Sequence, residues 1–289
     1  GVPGAGGGAG GEGIGISRGG GLKLAPNAAV VGDPGVNLAD NSAVGIDYAD
    51  NADVTGNLDA IKAVETGTGA VTIKVAAPAV VTGDADANAS GDGINASATT
   101  GLVTITTAAG SKVQGVNGIS ATSSGAAGAG DIIVIDADGT TTSTGADGIV
   151  ATVSNAASAG SVKVTGDGAI SSAANGVNVS NLGTGSTTVT YDGAITAATN
   201  GVLVANARGA ATVTTSKTID AGTVGIQATN TGGGVSVSTT GLITGKATSG
   251  IVAASSGGNV TIDNDGDIGT GGDHVGADGV SATINSGSG

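Results

Sequence analysis

The sequence predicts an all-β fold: a right-handed parallel β-helix, a β-solenoid of about ten coils with three short strands in each. Three observations predict it. A Gly-Ile or Gly-Val dipeptide recurs about every 27 residues. Each interval holds short Val-, Ile- and Thr-rich stretches that alternate apolar with polar residues, the period of a half-buried strand. The apolar side chains are almost all aliphatic, since the 289 residues include 58 Gly and 2 Tyr but no Phe, Trp, Met or Cys. Such side chains fill only a narrow interior, and stacked coils supply one.

The first strand of each coil follows the dipeptide at Gly13, Gly35, Gly93, Gly118, Gly148, Gly176, Gly201, Gly225, Gly250 and Gly279, with Ala60-Ile61 filling the gap between Gly35 and Gly93. The second strand is an alternating pair about nine residues further on. These pairs are Leu22/Leu24, Ile46/Tyr48, Val71/Ile73, Val103/Ile105, Ile133/Ile135, Val162/Val164, Thr187/Val189, Ala211/Val213, Val235/Val237 and Val260/Ile262. The third strand is marked by one more aliphatic residue, six positions beyond the pair: Val30, Val54, Ile170, Ile195, Ile219, Ile243 and Ile268. Stacked coils then set like residue on like at ~4.8 Å, about 50 Å for the whole rod.

Corners between strands are rich in Gly, Asn, Asp and Ser, which tolerate left-handed backbone or bond back to the main chain. Asp92, Asn117, Asp147, Asn175, Asn200 and Asp278 stand just before a coil start and predict a stacked Asx corner. Longer insertions, such as Ser123–Asp131 and Thr82–Asp92, fall between strands, where they break no ladder. Residues 1–12 hold no ladder position and read as a Gly-rich flexible lead-in. The β-helix domain is expected over 13–289, continuing beyond the C-terminus in a parent protein.

Composition narrows the function. Twenty-three acids against nine Lys and Arg give a net charge of −14, which opposes nucleic-acid binding, because that needs clustered cations. No apolar run approaches the ~18 residues of a membrane-spanning helix, so no direct membrane insertion is expected. Without Cys, thiolate metal sites and thiol catalysis are impossible.

Catalytic groups are sparse. The cations Arg18, Lys23, Lys62, Lys74, Lys112, Lys163, Arg208, Lys217 and Lys246 are dispersed singly, and His274 sits in an insertion without a second imidazole. The chain is therefore expected not to be an enzyme, with no catalytic, cofactor-binding or metal-ligating residue assigned. The run Asp84-Ala85-Asp86-Ala87-Asn88 alternates oxygen ligands in the manner of a calcium loop. It lacks Gly at the sixth position and Glu at the twelfth, so only weak calcium binding is compatible with it.

The cadence of Gly225-Ile226-Gln227-Ala228 with Val235-Ser236-Val237-Ser238, and of Gly250-Ile251-Val252-Ala253 with Val260-Thr261-Ile262-Asp263, resembles the passenger regions of bacterial autotransporters and related haemagglutinin-like secreted proteins. The resemblance spans roughly residues 13–289 and is one of repeat style. It implies a secreted adhesin-like β-helix at the bacterial cell surface or in the extracellular matrix. The function expected is structural or adhesive. One alternative is a subunit that self-associates end to end into a fibre. A further alternative is an ice-binding solenoid using the outward Thr-x-Thr lattice of the second strands, least interrupted at Thr188, Thr190, Thr212 and Thr214 and extended by Ser236 and Ser238.

Overall fold

The computed structural model describes residues 11–88, 90–270 and 274–285, and among them every regular element is a β-strand. The strands form three parallel sheets of eleven, ten and nine members, in which each strand pairs with its counterpart one coil away. The chain is a parallel β-solenoid with three strands per coil. The expected lead-in lies, for residues 1–10, outside the described residues. Gly11 and Glu12 are bonded to the body: the Asp33 N–H donates to the Gly11 carbonyl at 2.9 Å, and Asn37 Nδ2 donates to Glu12 Oε1 at 2.7 Å.

The ladders run in the predicted register. Ile14, Val36, Ile61, Ile94, Ile119 and Ile149 form one column of the first sheet, continued by Val177, Val202, Ile226, Ile251 and Val280. The second-strand pairs align in the same way, from Leu22 beside Ile46 to Val235 beside Val260. Inward residues of the middle coils, such as Ile94, Ile105 and Ile133, are fully buried. Each such side chain contributes about 1.5–3 kcal/mol by leaving water. Stacking thus obtains from Ile and Val the burial that other cores obtain from aromatic rings.

The third sheet holds three rungs that an aliphatic residue at the six-residue spacing does not mark. Val81, Val113 and Thr141 join Val54 to Ile170 in one column. The corners 76–79 and 108–111 are longer and carry Val81 and Val113 out of the expected position, while Thr141 is a hydroxyl where other coils have an aliphatic group. The two tyrosines are both inward. Tyr191, which the sequence pattern sets just past a strand, instead ends the strand Thr187–Tyr191 and is fully buried. It lies over Gly166, and its hydroxyl donates to the Gly168 carbonyl at 2.7 Å. Gly166 presents no side chain to the ring in register with it, and the Gly168 carbonyl satisfies the buried hydroxyl.

The glycine that opens each coil has a steric cause. A Cβ on Gly201 would stand 2.1 Å from Ile219 Cγ2 and 2.6 Å from the Gly225 carbonyl oxygen of the next coil. The same clash recurs at Gly148, Gly176 and Gly225. Successive coils approach through their backbones here, and only a hydrogen fits between them. Gly201→Ala is expected to cost about 1–3 kcal/mol through overpacking, read as a lower urea midpoint in equilibrium unfolding, whereas Ala60→Gly should change it by less than about 1 kcal/mol.

Candidate functional site

Polar side chains of the solenoid are concentrated in a half-buried corner ladder, a buried ladder and two outward faces. The first ladder follows the corner before the first sheet. Asp59 Oδ1 accepts the Asp92 N–H at 2.9 Å, and Asp92 Oδ1 accepts both the backbone N–H and the Nδ2 of Asn117, at 3.0 and 2.9 Å. Asn117 Oδ1 accepts the Asp147 N–H at 3.1 Å, and Asp147 Oδ1 accepts both donors of Asn175 at 2.8 Å. Asn175 Oδ1 in turn receives the N–H and Nδ2 of Asn200. The predicted Asx corner is therefore a hydrogen-bonded column. Amides interposed between carboxylates supply donors that a column of Asp alone would lack. Burial, with the charge of Asp59 adding to it, raises the Asp92 carboxyl above its ordinary range, and the donated Asn117 bonds oppose the rise.

A second ladder closes the turn after the first strand. Asn181, Asn206 and Asn230 are stacked in register and buried. Asn230 accepts from the Gly232 and Gly233 N–H groups at 3.1 and 2.8 Å and donates to the Gly234 carbonyl at 3.1 Å. Asn181 makes the equivalent bonds to Gly183 and Gly185. Buried amides satisfied in this way hold the corner in one conformation.

The cations are spread as the sequence indicates. Two ion pairs occur among the described residues, Lys23–Asp47 at 3.1 Å and Lys246–Asp220 at 2.7 Å, both on the surface. His274 lines a shallow open cleft with Ile268, Gly269, Thr270 and Val275. In the acidic run, Asp84 is buried and already engaged: its Oδ1 accepts from the Ser90 N–H at 3.2 Å and its Oδ2 from the Thr144 hydroxyl at 3.0 Å. Asn88 Nδ2 donates to Asp86 at 2.7 Å. No three His, Asp or Glu side chains converge as metal ligands among the described residues. No helix there is long and apolar enough to cross a membrane.

Two outward faces remain. On the second sheet Thr188, Thr212 and Ser236 form one column and Thr190, Thr214 and Ser238 another, with Lys163 bordering the patch on one side and Asp263 on the other. The first sheet is different in kind. Its outward positions from Asn95 through Thr283 carry no charge, and they include Val150, Leu203 and Val252 among Ser, Thr, Asn and Gln. On a chain of net charge −14, this is an extended set of uncharged positions, bordered at the corner by Asp59 and Asp147, which accept from Asn95 and Asn178. Comparison with protein-family models, curated proteins and solved structures yields no match. The geometry of these faces and ladders is thus the basis for a functional reading.

Sequence reasoning missed three buried acids: Asp40, Asp50 and Glu65 are 2%, 1% and 1% exposed. Parity along the strand could have found them, because Val36, Leu38 and Asp40 alternate toward one side, as do Ile46, Tyr48 and Asp50.

Asn175→Ala removes an acceptor shared by Asn200 and Thr199 and a donor to Asp147. Leaving these groups unpaired should lower the unfolding free energy by about 1–3 kcal/mol, measured by chemical denaturation. Replacing the exposed Asn259 by Ala should leave it within about 0.5 kcal/mol.

Proposed function

We propose that this chain is a non-enzymatic structural and adhesive solenoid, a rod displayed outside a bacterial cell whose first-sheet face makes contact with other surfaces. The observation that carries the reading is the uncharged face from Asn95 to Thr283. Carboxylates lie elsewhere: Asp59, Asp92 and Asp147 in the corner ladder, and Asp47, Asp220 and Asp263 on the other two sheets. A negatively charged rod repels most biological surfaces through its acids, and this face is where close approach costs least. Its apolar members, Leu203, Val150 and Val252, gain by leaving water. The repeat cadence, similar to that of autotransporter passengers, supports the extracellular location.

The test is adhesion of beads coated with the intact protein to cells and to glycan or plastic surfaces. Binding is expected, with a several-fold loss in Leu203→Glu and Val252→Glu and little change in Thr188→Glu on the second sheet. No binding, or equal loss in all three variants, sinks the adhesive reading. Turnover of a polysaccharide or peptide substrate overturns the non-enzymatic one.

A second reading, a fibre subunit stacked end to end, is favoured by the last described rungs. Val280 and Ile284 are 45% and 57% exposed, while Ile251 beside Val280 is fully buried. Apolar rungs of this kind accept another coil, whether of the same chain or of a second copy. Electron microscopy over a salt series separates the readings, since salt screens the repulsion between acidic rods. Filaments that lengthen with salt support the fibre, and isolated rods about 50 Å long at every ionic strength leave only the display function.

A further inference from the structure

The inward column at the end of the first strand is neutral through most of the rod: Ala98, Ser123, Val153, Asn181, Asn206, Asn230 and Ser255. In the second and third coils it holds Asp40 and Glu65, adjacent in register and almost wholly buried. One oxygen of each has a donor. The Ser42 hydroxyl donates to Asp40 Oδ2 at 2.7 Å, and the Gly67 N–H donates to Glu65 Oε1 at 2.6 Å. The remaining oxygens, Asp40 Oδ1 and Glu65 Oε2, are buried without a donor. Two buried carboxylates adjacent in register disfavour each other's ionisation, because like charges are poorly screened out of water.

One strand further along the second coil, Asp50 repeats the situation. Its Oδ1 accepts the Ala52 N–H at 3.0 Å, while its Oδ2 and the neighbouring Tyr48 hydroxyl are buried without a well-formed bond, the hydroxyl lying near enough to oppose part of the rise that burial causes in Asp50. The equivalent position in other coils is again uncharged, as at Val75, Thr107 and Ala137. The surrounding charged groups do not neutralise these acids. Arg18 is in register with Asp40 but exposed and forms no ion pair with it; Lys23 is paired with Asp47 on the outer face; Lys62 points outward; Asp53 adds negative charge.

We propose that Asp40, Glu65 and Asp50 form a proton-operated latch that holds the first three coils closed in mild acid and loosens them as the pH rises out of that range. Burial raises the Glu65 carboxyl, and the charge of Asp40 adds to the rise; burial likewise pushes Asp50 up to about 6. A carboxyl raised in the folded state contributes stability that is present below its unfolded value and lost as pH rises through its folded value. Asp40 has the opposite sign: the Ser42 hydrogen bond holds it low, so its contribution is lost in stronger acid. Closure is therefore tightest between the two, near pH 4 to 5 on the ordinary carboxylate scale.

In a stack of coils an end opens independently of the middle, which makes the latch measurable in the intact chain. Hydrogen exchange with mass spectrometry, corrected for the intrinsic pH dependence of exchange, compares the segments 36–40, 46–50 and 61–65 with 202–206 and 226–230. Protection of the first group should fall by at least about tenfold from pH 5 to pH 8, with the second group unchanged. Glu65→Gln and Asp50→Asn, neutral groups like those of the other coils, should each shrink that step. A wild-type step no larger than that of the later coils overturns the proposal, as does a step of full size in both variants.

Discussion

Everything in this molecule depends on one constraint: each residue of a coil lies directly over its counterpart in the next, at the ~4.8 Å spacing of paired strands. A side chain is therefore selected against its own kind. Aliphatic groups meet that condition easily, which is why Ile and Val fill the interior columns. Amides meet it by donating to one neighbour and accepting from the other, as Asn175 does between Asp147 and Asn200. Unmodified carboxylates meet it poorly. The corner column accommodates Asp92 and Asp147 because Asn117 stands between them, and in the lumen Asp40 and Glu65, adjacent in register, disfavour each other's ionisation.

The same spacing explains the glycine content. Where coils approach through their backbones, first-strand starts such as Gly148, Gly176, Gly201 and Gly225 have space for hydrogen alone, while Ala60 holds the same position in the third coil. The Gly-Ile and Gly-Val dipeptides thus record two physical facts at once, a close backbone contact and the first apolar rung. That coupling is what makes the repeat visible in a sequence with few other signatures.

Legibility follows from this. Columns built on one residue class could be read directly: every first-strand start and every second-strand pair named from the sequence occupies its expected rung. Val81 and Val113 were hidden because corner length varies without penalty, so counting from the previous strand fails there. Tyr191 was misplaced because the alternating pair Thr187/Val189 stops one inward position short of the strand's end, which Tyr191 occupies. The buried acids were hidden for a chemical reason. Asp and Glu at a strand end read as turn residues, and only alternation carried through to the last position shows them to face inward. The candidate face of the first sheet was written in the sequence as an absence of charge at alternate positions, a signal too diffuse to notice until the coils are aligned.

Coils so alike raise a problem of indexing. A strand that paired with the wrong neighbour, one coil too far along, would still meet Ile with Ile and Val with Val, so the aliphatic columns alone do not count the coils. Tyr191 does, because its ring fits over Gly166 and its hydroxyl reaches the Gly168 carbonyl. A slipped alignment would set the ring against a bulkier rung and strand the hydroxyl. The six-residue insertions 124–129 and 154–159, longer than the four-residue corners 207–210 and 231–234, mark their own coils in a different way. The irregular residues are the ruler marks of the rod, and the chain's apparent departures from its repeat are what allow the repeat to assemble in a single order.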